Sequence, residues 1–319
     1  MADSQDIMYK SKWFDSLERL KLKHKEIAER LKGQKVCLLD VPLYYNVGDH
    51  LIYQGTEQFF NDYGVNIIHR AFYDNYSPKK LEESDVILLH GGGNFGDLYP
   101  THQKLREDIV KKYTNKKIII LPQTVKYQNE DNKIKSLKLF QEHPNLTFYV
   151  RDKVSFELMK EWVRDVHLMP DMAHSLHPLV DKLEIFDLDD KAKRVLYLKR
   201  DDLESSGSSS ADNIRKRSFD WNQMISLNDY VILKVVKTLQ PMPIVNQRLN
   251  EKWKVHSQSL MFRAIQYFLA HDIVYTDRLH GFILAYLLGR KVYFSDNSYG
   301  KNSTYFDAWI EPNDLIEWK

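Results

Sequence analysis

The spacing of hydrophobic positions changes along the chain, and the change predicts alternating helices and strands. Apolar residues recur at helical spacing from Trp13 to Leu31, and Gly33 ends this predicted first helix. Short, almost uninterrupted apolar runs follow at 36–41, 65–68, 86–92, 117–122 and 146–150. Such runs are typical of strands covered on both faces, as in a parallel sheet wound with helices.

The same alternation returns in the second half of the chain. Apolar runs predict strands at 194–200, 271–276 and 291–296, and helical patterns occupy 261–270 and 279–289. A chain of 319 residues is long enough for two cores. The sequence therefore predicts an α/β fold with two Rossmann-like, doubly wound domains, at residues 1–170 and 171–319.

Composition and charge exclude several classes of protein. With 43% hydrophobic and 28% charged residues, the chain is typical of globular proteins. A net charge of +2 argues against nucleic acid as a partner. The single cysteine, Cys37, excludes an intrachain disulfide and is predicted to be a buried, unreactive thiol. No apolar run approaches the roughly 18 residues of a membrane span, so we expect a cytoplasmic protein.

Glycines are concentrated where the third predicted strand ends. The segment LLHGGGNFGDLYP, residues 88–100, contains Gly91, Gly92, Gly93 and Gly96. Ligands bind beyond the carboxyl ends of strands in open α/β sheets, and glycines let backbone N–H groups approach them. The spacing matches neither the dinucleotide nor the triphosphate-binding motif. A tight turn without a ligand remains an alternative.

A second polar loop, YNVGDH, follows the first strand and supplies Asn46, Gly48 and Asp49. Asp49 has the alternative role of a helix N-cap. Two further strands end in LPQT and VRD, so polar groups gather along one edge of the first predicted sheet. This edge is a candidate binding surface.

The second half offers a cationic helix start in YTDRLHG. Thr276 or Asp277 can cap the helix, which places Arg278 and His280 at its amino end, where N–H groups attract anions. Because residues two apart in a helix point in different directions, Arg278 and His280 can meet one ligand only if one precedes the helix. A salt-bridged arginine and a buried core histidine are the alternative interpretation.

In their order along residues 44–301, several motifs resemble those of the polysaccharide pyruvyl transferases: YNVGDHLI, HGGGNFGDL, LPQT, RD, PDMAH, RLHG and DNSYGK. The resemblance implies a glycosyltransferase-B-like fold with the active site in the interdomain cleft. It also implies transfer of pyruvate from phosphoenolpyruvate to two hydroxyls of a sugar, as a cyclic ketal, in exopolysaccharide, capsule or cell-envelope glycan synthesis.

The resemblance places the donor in the second domain and the acceptor in the first. It maps donor binding onto Arg278, Leu279 and His280, with Arg200 as a looser match, and Lys301 could border the same site. We predict proton transfer by His280, with Asp97, Asp171 and His174 as lesser candidates for activating the sugar hydroxyl. The predicted acceptor side comprises Asn46, Gly48, Asp49, Gly91, Gly92, Gly93 and Asn94.

The proposed chemistry requires an acid and a base but no metal, and no metal-binding motif occurs in the sequence. Two other functions remain open. One is a sugar-nucleotide-dependent glycosyltransferase of the same fold, and the other is a sugar-binding protein of an envelope-assembly complex without catalysis.

Two segments predict interactions at the surface. Residues 204–213 are rich in serine and form either an exposed loop or a lid over a ligand. Between Lys10 and Lys35 lie nine Lys or Arg against four acidic residues. This basic helix is either a solvated face or a peripheral contact with anionic membrane, which would suit a lipid-linked saccharide acceptor.

Overall fold

The computed structural model describes residues 2–180, 194–199, 218–242, 246–296, 301–311, 313 and 315–318. Side chains are described from Lys12 onward, except those of Asn246 and Lys301. The α-helices are α1 Ala2–Lys23, α2 Lys25–Leu31, α3 Val47–Tyr63, α4 Pro78–Glu83, α5 Pro100–Lys112, α6 Glu130–Glu142, α7 Lys153–Met159, α8 Leu227–Leu239, α9 Asn246–Leu269, α10 Leu279–Leu287 and α11 Lys301–Trp309.

Eleven strands are described, and they form two sheets. The strands are β1 Lys35–Leu39, β2 Asn66–Arg70, β3 Val86–Leu89, β4 Gly92–Phe95, β5 Lys117–Val125, β6 Leu146–Val150, β7 Asp165–Leu168, β8 Val195–Leu198, β9 Ile273–Thr276, β10 Lys291–Phe294 and β11 Ile316–Trp318. The seven-stranded sheet has the order β2-β1-β3-β5-β6-β7, with β4 also paired to β5. The four-stranded sheet has the order β11-β10-β9-β8.

Every described pair of strands is parallel, as the uninterrupted apolar runs predict. The central strands β1, β3 and β5 bury nearly all their residues, because helices cover both faces of the larger sheet. The prediction of an α/β fold with a parallel sheet is therefore confirmed.

The sequence analysis missed the strands that lack an apolar run. β7, with the sequence DVHL, lies at the sheet edge and is only half-buried. β4 begins within the glycine-rich segment, whose composition predicts a loop. In both cases pairing to a neighbouring strand, which is a long-range property, decides the conformation.

The predicted first helix is two helices in the structure, which corrects that prediction. α1 ends at Lys23, and α2 begins at Lys25. Between them His24 is buried, with its ring nitrogens 2.7 Å from Ser175 Oγ and 3.1 Å from the Pro170 carbonyl. Trp13 packs into the core of the four-stranded sheet, whereas Ile27 packs into that of the larger one.

Helix α9 contributes to the cores of both sheets. Its Trp253 packs with residues of the larger sheet, and its Phe268 packs with those of the smaller sheet. No helix in the described ranges is long and apolar enough to cross a membrane. Cys37 is buried as predicted, and burial raises the pKa of its thiol to about 11.

Candidate active site

A cleft of about 330 Å³ lies where the carboxyl ends of strands from both sheets meet. Loops after β1 and β6 of the larger sheet, β4 with the start of α5, and the loop after β9 of the smaller sheet contribute to its walls. The lining residues are Tyr44, Asn46, Asp49, Gly93, Asn94, Tyr99, His102, Arg151, Trp221, Arg278, Leu279, His280 and Asn302. The cleft is the candidate active site.

The amino end of α10 forms one wall of the cleft. The helix begins at Leu279, with Arg278 at the N-cap position in extended conformation and no side chain capping the first turn. Thr276 Oγ1 instead accepts a hydrogen bond from the Arg278 N–H at 3.0 Å. Arg278 thus precedes the helix and His280 lies within it, the arrangement that lets both side chains reach one ligand. Asp220 pairs with the Arg278 guanidinium at 2.5 Å.

His280 contacts a buried ion pair that Asp171 forms with Arg151. The Asp171 carboxylate lies 2.5 Å from Arg151 Nη1 and 3.3 Å from His280 Nε2. Burial by itself raises the pKa of Asp171, but the hydrogen bond and charge of His280, together with the charge of Arg151, outweigh burial and hold that pKa well below its usual range. Asp171 is therefore an ionised group that orients the Arg151 and His280 side chains.

The amino end of α3 forms the opposite wall. Asn46 caps this helix by accepting a hydrogen bond from the Gly48 N–H at 3.0 Å, so the capping role considered for Asp49 belongs to Asn46. Asp49 lies in the first turn and faces the cleft. A Cβ on Gly48 would lie 2.6 Å from His280 Nδ1. Gly48 thus lets α3 and α10 approach each other.

A second histidine, His102 of α5, lines the same cleft. Its Nδ1 lies 2.6 Å from Asp40 Oδ1, and the other carboxylate oxygen of Asp40 accepts from Arg106 at 2.7 Å. Arg106 also donates to the Asn94 side chain. Burial raises the pKa of Asp40, yet the charge of Arg106 and the hydrogen bond from His102 leave it below its usual value. Asp40 thus orients the His102 ring at the wall of the cleft.

Glycines on either side of β4 allow the glycine-rich segment to pack closely against the backbone of β5 and of the residue that follows it. A Cβ on Gly91 would lie 2.8 Å from the Pro122 carbonyl oxygen, and one on Gly96 would lie 1.7 Å from that of Lys126. Gly92 has a φ of +136°. Of the predicted acceptor residues in this segment, Gly93 and Asn94 line the cleft, whereas Gly91 and Gly92 do not. A Cβ on Gly93 would lie 2.8 Å from Arg151 Nη2.

Other predicted site residues lie away from the lining of the cleft or outside the described part of the chain. Asp97 accepts hydrogen bonds from the backbone N–H groups of Gln128 and Asn129, at the start of α6. His174 is fully buried, 2.8 Å from the Tyr305 hydroxyl. Arg200 lies outside the described residues, and so do the Lys301 side chain and the serine-rich segment 204–213.

Several lining residues were not predicted as site residues from the sequence. Arg151 follows β6 directly, so its place at the end of an apolar run was the signal for it. His102 has no such signal, because it lies in the first turn of α5 and its partner Asp40 is 62 positions away. The sequence also gave no indication that Tyr44, Tyr99, Trp221 and Asn302 lie in the cleft.

The sequence is similar to known proteins over most of its length. The family model for polysaccharide pyruvyl transferase matches residues 46–299. EpsO of Bacillus subtilis, a candidate pyruvyl transferase by its name, is 36% identical over 88% of this chain and 87% of its own. Pyruvyl transferase 1 of Schizosaccharomyces pombe is 28% identical over 87% of this chain and 70% of its own.

The fold also has a counterpart among solved structures. The crystal structure of an uncharacterized Klebsiella pneumoniae protein, 21% identical, superimposes with a TM-score of 0.61 and covers 94% of this chain and 98% of its own. That likeness concerns the fold alone. The family match, which spans both walls of the cleft, and the identity to EpsO show that the chain belongs to the polysaccharide pyruvyl transferase family.

Proposed function

We propose that this enzyme transfers pyruvate from phosphoenolpyruvate to two hydroxyls of one saccharide and forms a cyclic ketal. The observation that carries the proposal is the meeting of Arg278, Arg151 and His280 at the uncapped amino end of α10. Phosphoenolpyruvate carries a carboxylate and a phosphate, so it requires two groups of donors in one site. Arginine side chains and the first N–H groups of a helix supply such donors.

His280 is the proposed acid for the first step. Asp171 Oδ2 lies 3.3 Å from Nε2 of the His280 ring and orients the imidazole, whereas Nδ1 packs on the side of Gly48. Protonation of the methylene carbon turns C2 into an oxocarbenium-like centre. One sugar hydroxyl adds to C2, the bond from C2 to the phosphate oxygen breaks, and the second hydroxyl closes the ketal. The hydroxyls lose two protons, which balance the one on the new methyl group and the one on the released phosphate.

His102 is the proposed base for the sugar hydroxyls. Its Nδ1 lies 2.6 Å from Asp40 Oδ1, and in the proposed tautomer Nδ1 donates to Asp40 while Nε2 accepts the proton of the sugar hydroxyl. The candidates from the sequence suit this role less well. Asp97 is occupied by backbone N–H groups near α6, and Asp171 is fully buried behind His280. Asp171 is therefore proposed as a positioning residue.

The two sheets are proposed to act as two domains in a glycosyltransferase-B-like arrangement, divided at about residue 170. The amino-terminal unit, with Asn46, Asp49 and Asn94 in the cleft, would bind the acceptor, and the second unit would bind the donor through α10. The meeting of strand carboxyl ends from both sheets supports this division of roles. The reaction is proposed to need no metal, so chelator treatment should leave the rate unchanged.

Release of phosphate tests the function directly. The protein is incubated with phosphoenolpyruvate and a panel of saccharides, and phosphate is measured together with the mass of each saccharide. We expect phosphate release that depends on the acceptor and a product heavier by one pyruvate ketal. Release of a nucleoside diphosphate from a sugar nucleotide, with no reaction of phosphoenolpyruvate, would instead identify a glycosyltransferase. Saccharide binding without turnover would identify a binding protein.

A further inference from the structure

Helix α8 presents an apolar face to solvent. Leu227 is 86% exposed and Val231 is 60% exposed, and Tyr230, Ile232 and Val235 are also exposed. Leu227, Val231 and Val235 are spaced four residues apart, so they form one stripe along the helix. A stripe of this kind on a described surface helix is a candidate docking surface.

The charged side chains on the exposed face of α8 have one sign. The exposed lysines Lys234 and Lys237 lie along one flank of the stripe, and no exposed side chain of α8 is acidic. Asp229, the acidic residue of the helix, points inward and is held by Arg263 at 2.7 Å. The exposed face of α8 is thus apolar and cationic, complementary to a surface that is apolar and anionic.

We infer that α8 lies in the headgroup region of an anionic phospholipid bilayer, with its apolar stripe inserted and its lysines at the phosphates. Helices that lie in the membrane interface combine an apolar stripe with flanking lysines in this way. A second copy of the chain fits the face less well, because lysine is depleted at protein interfaces.

The basic α1 has a weaker claim to the same role. Trp13 and Leu17 are buried in the core, and among its described side chains Leu22 is the exposed large apolar one. Lys21 is paired with Asp62 at 2.8 Å and donates to the His177 carbonyl. α1 therefore adds charge near a membrane but presents little apolar surface to insert.

Helix α8 lies next to the cleft, so its contact with a membrane would affect which acceptor reaches the cleft. Trp221 lines the cleft only a few residues before Ser226, which caps α8. Tyr45, between the lining residues Tyr44 and Asn46, donates to the Asp229 carbonyl in the first turn of α8. An inserted α8 would hold the cleft at headgroup height. On the proposed function, the acceptor would then be a saccharide carried on a membrane lipid.

Vesicle binding by the full chain tests the surface without any substrate. Sedimentation is measured with phosphatidylcholine vesicles and with vesicles of equal parts phosphatidylcholine and phosphatidylglycerol. We expect binding to the anionic vesicles that weakens with salt. The double variant Val231→Glu/Val235→Glu should lose most of this binding, and Lys234→Gln/Lys237→Gln should weaken it roughly tenfold or more. The matched control Val154→Glu changes a similarly exposed valine on α7 and should bind like the wild type.

The outcomes separate the surface from the proposed reaction. The α8 variants should keep the wild-type rate of phosphate release with a soluble saccharide, because none of these side chains lines the cleft. The inference would be overturned if the wild-type protein did not sediment with anionic vesicles at low salt. It would also be overturned if the glutamate variant still bound them. The inference would also be overturned if the glutamate substitutions changed the protein from dimer to monomer, as measured by light scattering, and left vesicle binding unchanged. Vesicle binding by a protein without transferase activity would contradict only the proposed function.

Discussion

Arg278 is held by a carboxylate rather than left as an isolated cation. Asp220 is 2.5 Å from its Nη2, and both side chains are buried. This contact orients the guanidinium at the wall of the cleft. A bidentate clamp for a carboxylate or phosphate requires such a fixed fork, and an ammonium group cannot reproduce it.

We therefore expect Arg278→Lys to lower kcat/KM for phosphoenolpyruvate by roughly tenfold to a hundredfold, the range for losing hydrogen bonds between charged groups. Phosphate release at varied donor concentration measures the effect. Arg290→Lys, which changes a buried arginine that does not line the cleft, is the matched control for a general cost of removing a guanidinium. Near-normal turnover by Arg278→Lys would remove Arg278 from the donor site.

His102 allows the acid and the base of the reaction to be tested separately. If its Nε2 accepts the sugar proton, His102→Gln should lower kcat by roughly a hundredfold or more and leave KM for phosphoenolpyruvate nearly unchanged. The acidic limb of the rate profile, where a general base is lost by protonation, should also change, which a packing role would not produce. His271→Gln, outside the cleft lining, serves as the control. An unaltered pH profile in His102→Gln would contradict the assignment.

Helix α3 carries two glycines that face different neighbours. A Cβ on Gly48 would lie 2.6 Å from His280 Nδ1, which is a side-chain atom at the cleft. A Cβ on Gly55 would lie 2.2 Å from the Met172 carbonyl oxygen, in the backbone of the buried 3₁₀ helix Met172–Leu176. Helix α3 thus approaches His280 closely at Gly48 and the buried 3₁₀ helix closely at Gly55.

The same substitution should consequently lower activity at one position and stability at the other. Gly48→Ala should displace the His280 ring and lower kcat at least tenfold, with stability within about 1 kcal/mol of the wild type because alanine favours the helix. Gly55→Ala should cost about 1–3 kcal/mol of unfolding free energy, since backbone cannot move aside cheaply. Activity assays and urea unfolding of both variants test this. Equal loss of stability in both would contradict the distinction.

The whole molecule buries several neutral histidines. Burial lowers the pKa of His24 to about 4, that of His50 to about 4 and that of His174 to about 3. The unfolded chain takes up a proton at each of these residues near pH 6.5, whereas the folded chain does so only near pH 4 or below. Between these values the unfolded state binds more protons, so stability falls as pH falls through that window.

We expect the urea midpoint to drop steeply between about pH 6.5 and pH 4. His24→Gln, which keeps a side chain able to bond Ser175 and Pro170, should flatten part of this dependence even if it lowers stability at neutral pH. Urea midpoints at several pH values for both proteins measure the slope. A variant with the wild-type slope would show that His24 does not contribute to the acid sensitivity.

The sequence by itself determined the features that contiguous residues encode. Uninterrupted apolar runs gave the buried parallel strands, because a strand covered on both faces has no polar position to alternate. RLHG at 278–281 indicated a cationic helix start, since capping and the helix dipole act within one turn. YNVGDH likewise indicated a polar loop before a helix, and that loop forms the opposite wall of the cleft. The order of these motifs along the chain indicated the family.

Tertiary structure alone decided which side chains meet. His280 lies beside Asp171, 109 positions earlier, and His102 beside Asp40, 62 positions earlier. No local pattern specifies these pairs, because they form only when the order of strands brings their carboxyl ends to one edge. Pairing likewise turned part of the glycine-rich segment into β4, and packing against two cores broke the first helix at His24. Strand order and packing act between distant residues, so the sequence supplied the groups and the fold set the distances between them.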